Sequence, residues 1–343
     1  MRRLPSKSTS SLLAALLSIA AAGPVVSPPV LTGYFDVAFT YDDNLFRYSA
    51  ADLEAFRLGS EPKRFPIRTS DDLDVVIGVG CTYRFGTAGR RGLATLRTRM
   101  HQYVSNWEKS YGLLEVGVGQ RITRLATARA SFLWMPGYLV RYYRNPASGV
   151  GDYVACRYTE YLANAKVELK LGCFEVVPSY RHEWDDYLPA FDCYDTRAHR
   201  FGGSAAFQPS HQFRFQAEYE RKLARARGSK PDISYNQHEL GLVLAVRPER
   251  TRFDFEASYN VELRTYTAGP ADPAHAGRED DIENVAVGAG YRLGRTRLSF
   301  RYELEWRDVW SPYSEKIEDV KQYRQNRLTL GVRMNPTDLF SGG

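Results

Sequence analysis

The segment from Thr296 to Trp310, TRLSFRYELEWRDVW, places charged residues at alternate positions. Its even positions from Leu298 to Trp306 are large and apolar, and its odd positions carry arginine, serine and glutamate. Because successive side chains of a strand point to opposite faces, this alternation predicts one apolar face and one face with charges of both signs. A face of that kind can hold water, form ion pairs across neighbouring strands, or contact a polar solute.

Catalytic and metal chemistry have little support in this sequence. The six histidines, the side chains best suited to acid–base chemistry near neutral pH, are scattered over different predicted strands and turns. None stands in a recognised catalytic motif, and neither CxxC nor HExxH occurs. Barrel lipases and proteases need a serine beside a histidine, or a histidine with an aspartate. The sequence therefore predicts no enzyme, with no catalytic residue, metal site or cofactor.

The N-terminus has the features of a secretory signal peptide. Basic residues precede an apolar core from Leu12 to about Ala22, which ends in three alanines. A core of roughly a dozen residues is too short to span a bilayer. We expect residues 1–23 to be removed on export and residues 24–343 to form a single domain, in a compartment where disulfides can form.

The charge balance does not indicate a nucleic-acid partner. The formal net charge is +6, but the 46 basic residues are spread among 40 acidic ones without a clustered stripe. An exported protein rarely meets nucleic acid. The aromatic inventory of 23 tyrosines, 17 phenylalanines and 5 tryptophans instead favours β-strands.

The alternation of the first segment recurs along most of the chain. We count about fourteen such strands, with a range of about 12 to 16, and an even number is typical of bacterial membrane barrels. Short turns, such as residues 123–125 and 172–173, alternate with longer polar loops, such as residues 42–70 and 308–325. Only the short connection at residues 106–110 departs from that rule.

These features predict an all-β fold, an antiparallel up-and-down transmembrane β-barrel in the outer membrane of a Gram-negative bacterium. Only helices and closed barrels satisfy every backbone hydrogen bond within lipid, and this chain has no second long apolar run. A soluble barrel of this size would enclose a lumen too wide for side chains to fill. An interfacial girdle on the long-loop side is predicted from Trp107, Trp184, Trp306 and Trp310.

If the apolar face meets lipid, the polar face lines the lumen. Two interpretations remain open and are compatible: a hydrated channel of mixed charge suited to neutral or charged sugars, or ion pairs that brace the wall. The predicted lining residues are Arg97, Arg99, His101, Glu115, Arg121, Arg129, Glu160, Lys166, Glu168, Lys170, Arg214, Glu218, Glu256, Arg301, Glu303 and Arg333.

One pair among the four cysteines is a candidate for a disulfide. Cys156 and Cys193 fall in neighbouring long loops, each just before a predicted descending strand, so a bridge between them is geometrically reasonable. Cys81 is expected to face lipid, and Cys173 lies in a turn. The sequence alone leaves the Cys156–Cys193 pair open between a disulfide and two free thiols.

The segment from Thr40 to Arg47, TYDDNLFR, resembles a known first-strand signature, YDDN or YDSN followed by an apolar pair and arginine. The signature is that of the EpsL-type group of β-barrel porins, outer-membrane barrels encoded with exopolysaccharide-biosynthesis genes. The hairpin that begins at His238, HELGLVLAVRPERTRFDFEASYN, is similar in pattern. The resemblance covers most of the predicted mature chain. It implies passage or secretion of a polysaccharide across the outer membrane, with no catalytic residue.

We therefore expect an outer-membrane channel for hydrophilic solutes that exports an extracellular polysaccharide. The alternatives are a general diffusion porin, or a non-conducting surface scaffold or barrel enzyme. Expected partners are outer-membrane lipid and lipopolysaccharide, the polysaccharide and periplasmic export components. The longest loop, residues 42–70, contains AADLEAFRLG, which is able to form a helical turn. That loop is expected either to fold inward as a constriction or to stay outside as a lid.

Overall fold

A computed structural model describes residues 30–86, 91–145, 152–228, 231–313 and 315–335. The predicted signal peptide, residues 1–23, lies outside the described residues. Fourteen antiparallel strands in the described part close into one barrel, in which β1 pairs with β14 and every other pair is consecutive in the chain. The strands are β1 (Val30–Asp42), β2 (Asp72–Gly86), β3 (Arg91–Tyr103), β4 (Tyr111–Arg121), β5 (Ala126–Arg144), β6 (Tyr153–Leu171), β7 (Phe174–Tyr187), β8 (Thr196–Phe207), β9 (Phe213–Ala226), β10 (Tyr235–Val246), β11 (Phe253–Tyr266), β12 (Glu279–Leu293), β13 (Thr296–Trp310) and β14 (Tyr323–Met334).

The barrel wall is apolar outside and polar inside. On β13, Leu298 and Phe300 keep 43% and 44% of their surface exposed, whereas Glu305 keeps 7%. Such inverted polarity is stable only where lipid surrounds the wall, because water would penalise the exposed apolar belt. The all-β prediction and the sidedness of the strands are confirmed. The barrel is therefore a protein of the outer membrane of a Gram-negative bacterium, with its longer loops on the outer side.

Five tyrosines mark the outer edge of the apolar belt. They stand on alternate strands, and each hydroxyl bonds a polar side chain two positions nearer the outer rim on the next strand or loop. The pairs are Tyr41 with Asp71 (2.8 Å), Tyr180 with His199 (2.8 Å), Tyr219 with His238 (2.9 Å), Tyr259 with Glu283 (2.6 Å) and Tyr302 with Asn326 (2.7 Å). A tyrosine suits a membrane interface because its ring is apolar and its hydroxyl is polar. The girdle predicted from the sequence consisted of tryptophans, and these tyrosines were not among its members.

Strands β5 and β6 are the longest, and their pairing is irregular. The register shifts between Met135 and Tyr138 and again between Leu139 and Arg141. Pro136 has no N–H to donate to the ladder, and the first of these shifts lies at this proline. Gly137 has a φ of 63°, a left-handed conformation that glycine adopts without steric cost. The bulge lies on the part of the wall that the first loop contacts.

The first loop, residues 43–71, packs against the inner wall instead of standing outside it. Its helix α1 (Ala50–Arg57) confirms the predicted helical turn, and the Ser49 side chain caps it at the Asp52 N–H (3.1 Å). A buried cluster joins the loop to wall residues of β3 and β5; its members are Leu45, Phe46, Tyr48, Phe65, Tyr103 and Leu139. Burial of such a cluster is the main source of stability for a loop that has few regular backbone bonds.

Two short 3-10 turns, Trp107–Lys109 and Pro189–Tyr194, and a helix α2 (Glu315–Lys321) lie in other outer loops. No helix in the described ranges is both long and apolar enough to cross a bilayer. Helix α2 belongs to the last outer loop, residues 311–322, and contacts both β13 and α1. The two helices therefore meet at the outer mouth of the barrel.

Candidate functional site

Ion pairs between strands that are not neighbours identify the inner face. Arg301 on β13 reaches Glu256 on β11 (3.1 Å), and Lys222 on β9 reaches Glu183 on β7 (2.6 Å). Side chains of next-nearest strands converge only on the concave side of a closed wall. The alternation of each strand then places the remaining polar residues of the same parity in the lumen.

Most of the residues predicted to line the lumen form ion pairs along this inner face. The ion pairs are Arg97–Glu115 (3.5 Å), Arg129–Glu168 (2.7 Å), Lys166–Glu168 (3.2 Å), Arg214–Glu175 (3.5 Å), Arg301–Glu303 (3.4 Å) and Arg333–Asp36 (3.5 Å). His101 forms a hydrogen bond with Asp74 (2.7 Å). These contacts support the interpretation that charges brace the wall. That solutes pass along these residues stays a prediction.

The remaining predicted lining residues have other surroundings. Glu218 accepts a hydrogen bond from Gln216, and Arg121 donates to carbonyls of the turn that follows β4. Within the described part of the chain, Arg99, Glu160 and Lys170 form no ion pair. The structure thus does not gather the sixteen predicted residues into one site, but distributes them over the whole inner wall.

Two compact charge clusters near the outer mouth were not singled out from the sequence. Glu183 accepts hydrogen bonds from Arg200 (2.8 Å) and from Lys222. Asp280 accepts two from Arg278 (2.8 and 2.9 Å) and pairs with Arg307. Strand parity alone would have placed Glu183 and Asp280 in the lumen. Their partners come from strands and a loop that only the closed barrel brings together.

The Tyr41 to Arg47 motif ties the first loop to the last strand. The Gln325 amide donates to both carboxylate oxygens of Asp42 (2.7 and 2.9 Å), and Asn326 donates to Asp43 through its backbone and its side chain (2.6 Å each). Asn44, with 2% of its surface exposed, donates to the carbonyls of Tyr48 and Arg324. The motif therefore closes the seam between β1 and β14 and directs the chain inward.

Arg47 connects opposite parts of the wall through the first loop. Its guanidinium lies 3.0 Å from Glu305 on β13, and its carbonyl accepts a hydrogen bond from Arg141 on β5 (2.9 Å). The path along the wall from β13 through β14 and β1 to β5 covers six of the fourteen inter-strand steps, which is nearly half the circumference. The loop consequently crosses the outer mouth, a placement that favours the constriction over the lid.

A buried lysine links the first loop to strand β5. Lys109, in the second outer loop, donates to the carbonyls of Leu139 (2.7 Å) and Val140 (3.3 Å), and its ammonium lies 5.1 Å from the ring of Phe46. Burial lowers the pKa of Lys109, and the hydroxyl of Tyr138 opposes that shift. Carbonyl oxygens thus replace the water that the ammonium loses.

A cavity of about 510 Å³ occupies the half of the outer mouth that the first loop leaves open. Tyrosines contribute aromatic surface to its wall, and arginines, aspartates and one lysine contribute charge. The volume lies within the range of about 300–1,000 Å³ that is usual for ligand pockets. Its lining includes Tyr143, Tyr235, Tyr266, Arg264, Asp185 and Lys321.

Lys321, at the end of α2, is the cavity's unpaired cation. It forms no ion pair with any side chain in the described ranges, and its ammonium lies 5.5 Å from the centre of the Tyr143 ring. Burial, together with repulsion from Arg141, Arg278 and Arg307, lowers the pKa of Lys321 to about 7. The cavity therefore has a positive potential beside α2 that changes near neutral pH.

The predicted disulfide and the histidines complete the candidate chemistry. Cys156 is buried and Cys193 is partly buried, and both are free thiols in the structure, so their bridge stays a prediction. Burial raises the pKa of Cys193. His182 and His199 lie side by side, 4.6 Å between ring centres, on the outward face. Across the described residues, no group of three or more His, Cys, Asp and Glu side chains is arranged to hold a metal.

The closed wall with an outward apolar belt defines the class of the protein as an outer-membrane β-barrel. No protein family model and no curated protein matches the chain. The outer membrane channel DcaP of Acinetobacter baumannii is similar in structure, with a TM-score of 0.50 and 11% identity over 90% of this chain and 96% of that one.

Two further solved structures share the general architecture. The anion-selective porin from Comamonas acidovorans has a TM-score of 0.45 and 10% identity, over 90% of this chain and 99% of that one. The TodX monoaromatic hydrocarbon channel, as the deltaS2 mutant, has a TM-score of 0.47 and 10% identity, over 91% of each chain. At such low identity the likeness concerns the fold alone.

Proposed function

We propose that this barrel is an outer-membrane channel for hydrophilic solutes, and that its cargo is an extracellular polysaccharide on its way out of the cell. The observation that carries the proposal is the outer-mouth cavity, which combines tyrosine rings with charged side chains in a polar lumen. The charged inner wall supports passage of a hydrated solute, since ionic groups would disfavour an apolar one.

The composition of the cavity suits a sugar chain. Pyranose rings have apolar C–H faces that pack on aromatic rings, and Tyr143, Tyr235 and Tyr266 offer such surfaces. Sugar hydroxyls bond to charged donors and acceptors, which Arg264 and Asp185 supply on different parts of the wall. A path of tyrosines and charges holds a polymer weakly at many points, so that it can also leave.

The Tyr41 to Arg47 motif gives a second line of support. The resemblance that the motif carries implies polysaccharide secretion, and its buried residues fix the loop that narrows the mouth. A narrowed mouth suits a channel that passes an extended chain and retains periplasmic contents. Export in this scheme requires periplasmic components that deliver the polymer to the short-turn side of the barrel.

Deletion of the gene in its own bacterium tests the proposal. We expect extracellular polysaccharide to fall severalfold, with polymer trapped in the periplasm, and an intact gene copy to restore secretion. Uptake of small sugars into liposomes that hold the purified barrel separates the alternatives. Normal polysaccharide output from the deletion strain, together with unrestricted passage of small sugars, would instead identify a general diffusion porin.

A further inference from the structure

Three arginines face outward near the outer rim of β8 and β9. Arg197, Arg221 and Arg225 are all exposed, whereas the residues between them in sequence, Ala198, Lys222 and Ala224, are buried against the lumen. The alternation therefore places the three guanidinium groups on the surface that the membrane surrounds, outside the channel.

The three arginines lie beyond the edge of the apolar belt, Arg221 next to it and the Arg197–Arg225 pair four residues nearer the rim. Tyr219 belongs to the tyrosine girdle and bonds to His238, and Arg221 is the next outward residue along β9 towards the rim. In the register of the sheet, Arg221 stands opposite His238 on β10 and Phe201 on β8. This height is where lipid head groups meet the wall, because the apolar chains end at the girdle.

Two of these arginines stand directly opposite each other on neighbouring strands. Arg197 pairs with Arg225 in the β8–β9 ladder. Like charges at such a position destabilise a sheet. Among the described residues, Arg197 and Arg221 form no side-chain hydrogen bond or ion pair, and Arg225 donates only to uncharged groups, including the Asn236 side chain at 3.1 Å. The wall therefore leaves three positive charges without a counter-charge.

Acidic side chains face outward on another part of the outer rim. On β12 and β13, Glu279, Asp281 and Asp308 face outward at the same end of the barrel. A surface that needed positive charge only for solubility would have no reason to gather it on β8 and β9. The segregation of charge around one rim indicates that the basic face meets a particular anion.

We propose that Arg197, Arg221 and Arg225 bind a phosphate of a lipid head group in the outer leaflet, the phosphorylated lipid A part of lipopolysaccharide. Guanidinium groups bind phosphate oxygens through paired N–H donors, and a phosphate between Arg197 and Arg225 would replace their repulsion by attraction. The acyl chains would then lie on Phe201 and Tyr219, directly below. The site is independent of what passes through the lumen.

Native mass spectrometry of the purified barrel tests the site, with lipid A and the same lipid A stripped of its phosphates as probes. We expect wild-type protein to retain the phosphorylated form, and the double variant Arg197→Gln/Arg225→Gln to lose about tenfold or more in affinity. Arg324→Gln, an exposed outward arginine on β14, is the matched control and should bind as wild type does.

Thermal unfolding in detergent gives a second readout, in which the effect of Arg197→Gln on the unfolding temperature should reverse when phosphorylated lipid A is added. Without lipid, Arg197→Gln should raise the unfolding temperature, because it removes the repulsion with Arg225. With phosphorylated lipid A it should lower that temperature relative to wild type, because the bound phosphate stabilises only the native barrel. Equal retention of the two lipids, or retention by the double variant, would overturn the proposal. Displacement of phosphorylated lipid A by millimolar inorganic phosphate would overturn the lipid assignment.

Discussion

Individual charges in this barrel fall into two groups with different surroundings. Most charged side chains in the lumen form an ion pair with a neighbouring side chain of opposite charge, as Arg301 does with Glu256. Such pairs cost little in a hydrated lumen and add rigidity more than net stability. Lys321 differs, since its neighbours are arginines and a tyrosine ring. We expect this unpaired cation to influence which ions enter the mouth.

Channel selectivity should depend on pH through Lys321. The pKa of Lys321, lowered to about 7, means that the side chain is charged below that pH and neutral above it. Anion preference in planar bilayers should therefore decline as the pH rises from 6 to 8. In Lys321→Gln that dependence should be absent, and in Lys321→Arg the preference should persist at pH 8. Identical profiles in wild type and Lys321→Gln would show that the residue does not face the ion path.

Lys109→Met should loosen the first loop. The change removes hydrogen bonds from an ammonium to the carbonyls of Leu139 and Val140, each worth about 1.5–3 kcal/mol for a charged donor. We expect limited proteolysis to cut residues 43–71 faster while the barrel still shows heat-modifiable migration on gels. Lys63→Met, a change at an exposed lysine of the same loop, provides the comparison. Unchanged cleavage in Lys109→Met would mean that the apolar cluster holds the loop alone.

At the scale of elements, a short motif and an irregular strand together position the first loop. The motif at the end of β1 bonds to β14, and the bulge in β5 presents carbonyls to Lys109 and Arg141 to the loop. The contact between the motif and β14 exists only because the barrel closes. The loop is thus a structural part of the mouth, and its helix α1 meets α2 across it.

Deletion of residues 52–64 should widen the channel. The segment includes most of α1 and the turn that carries Arg64, but spares Phe46 and Tyr48. We expect single-channel conductance to rise severalfold, because the obstacle at the mouth becomes smaller. Arg57→Ala, at an exposed position of α1, should leave the conductance as it is. An unchanged conductance after the deletion would mean that the ion path runs entirely through the other half of the mouth.

At the scale of the whole molecule, the apolar outer face and polar inner face of the wall determine that lipid surrounds the barrel. The closed ladder satisfies backbone groups that lipid cannot, and the girdle of five tyrosines sets the height at which the belt ends. At that edge the tyrosine hydroxyls form hydrogen bonds with the neighbouring strand or loop, and the surroundings change there from lipid chains to water and head groups. The position of the membrane is therefore defined by side chains on at least five strands.

Two adjacent positions on β11 test the sidedness of the wall. Ala257→Arg introduces a charge on the lipid face and should reduce barrel stability by about 2–4 kcal/mol if the site lies near the midplane. Ser258→Arg, one residue away and inward, should fold almost normally because the lumen is hydrated. Unfolding in urea with reconstituted protein gives both values. Equal losses for the two variants would contradict the assignment of faces.

Much of the barrel could be predicted from the sequence because a strand's alternation is local. The segment from Leu298 to Trp306 reveals its two faces without reference to any other residue, and about fourteen repeats of it indicate a closed membrane wall. The irregular pairing at Pro136 also has a local cause, the missing N–H of proline. Strand parity likewise placed Glu256 and Arg301 on the inner face.

Contacts between distant strands were decided only by the tertiary structure. The inward course of the first loop depends on Arg47 meeting Glu305, which is far away in sequence, and on Lys109 meeting β5. The outer-mouth cavity and the opposition of Arg197 to Arg225 likewise arise from closure and register. The sequence by itself determined which residues share a face, because that follows from backbone geometry. Which faces meet depends on the curvature and register of the closed barrel, and no local pattern encodes them.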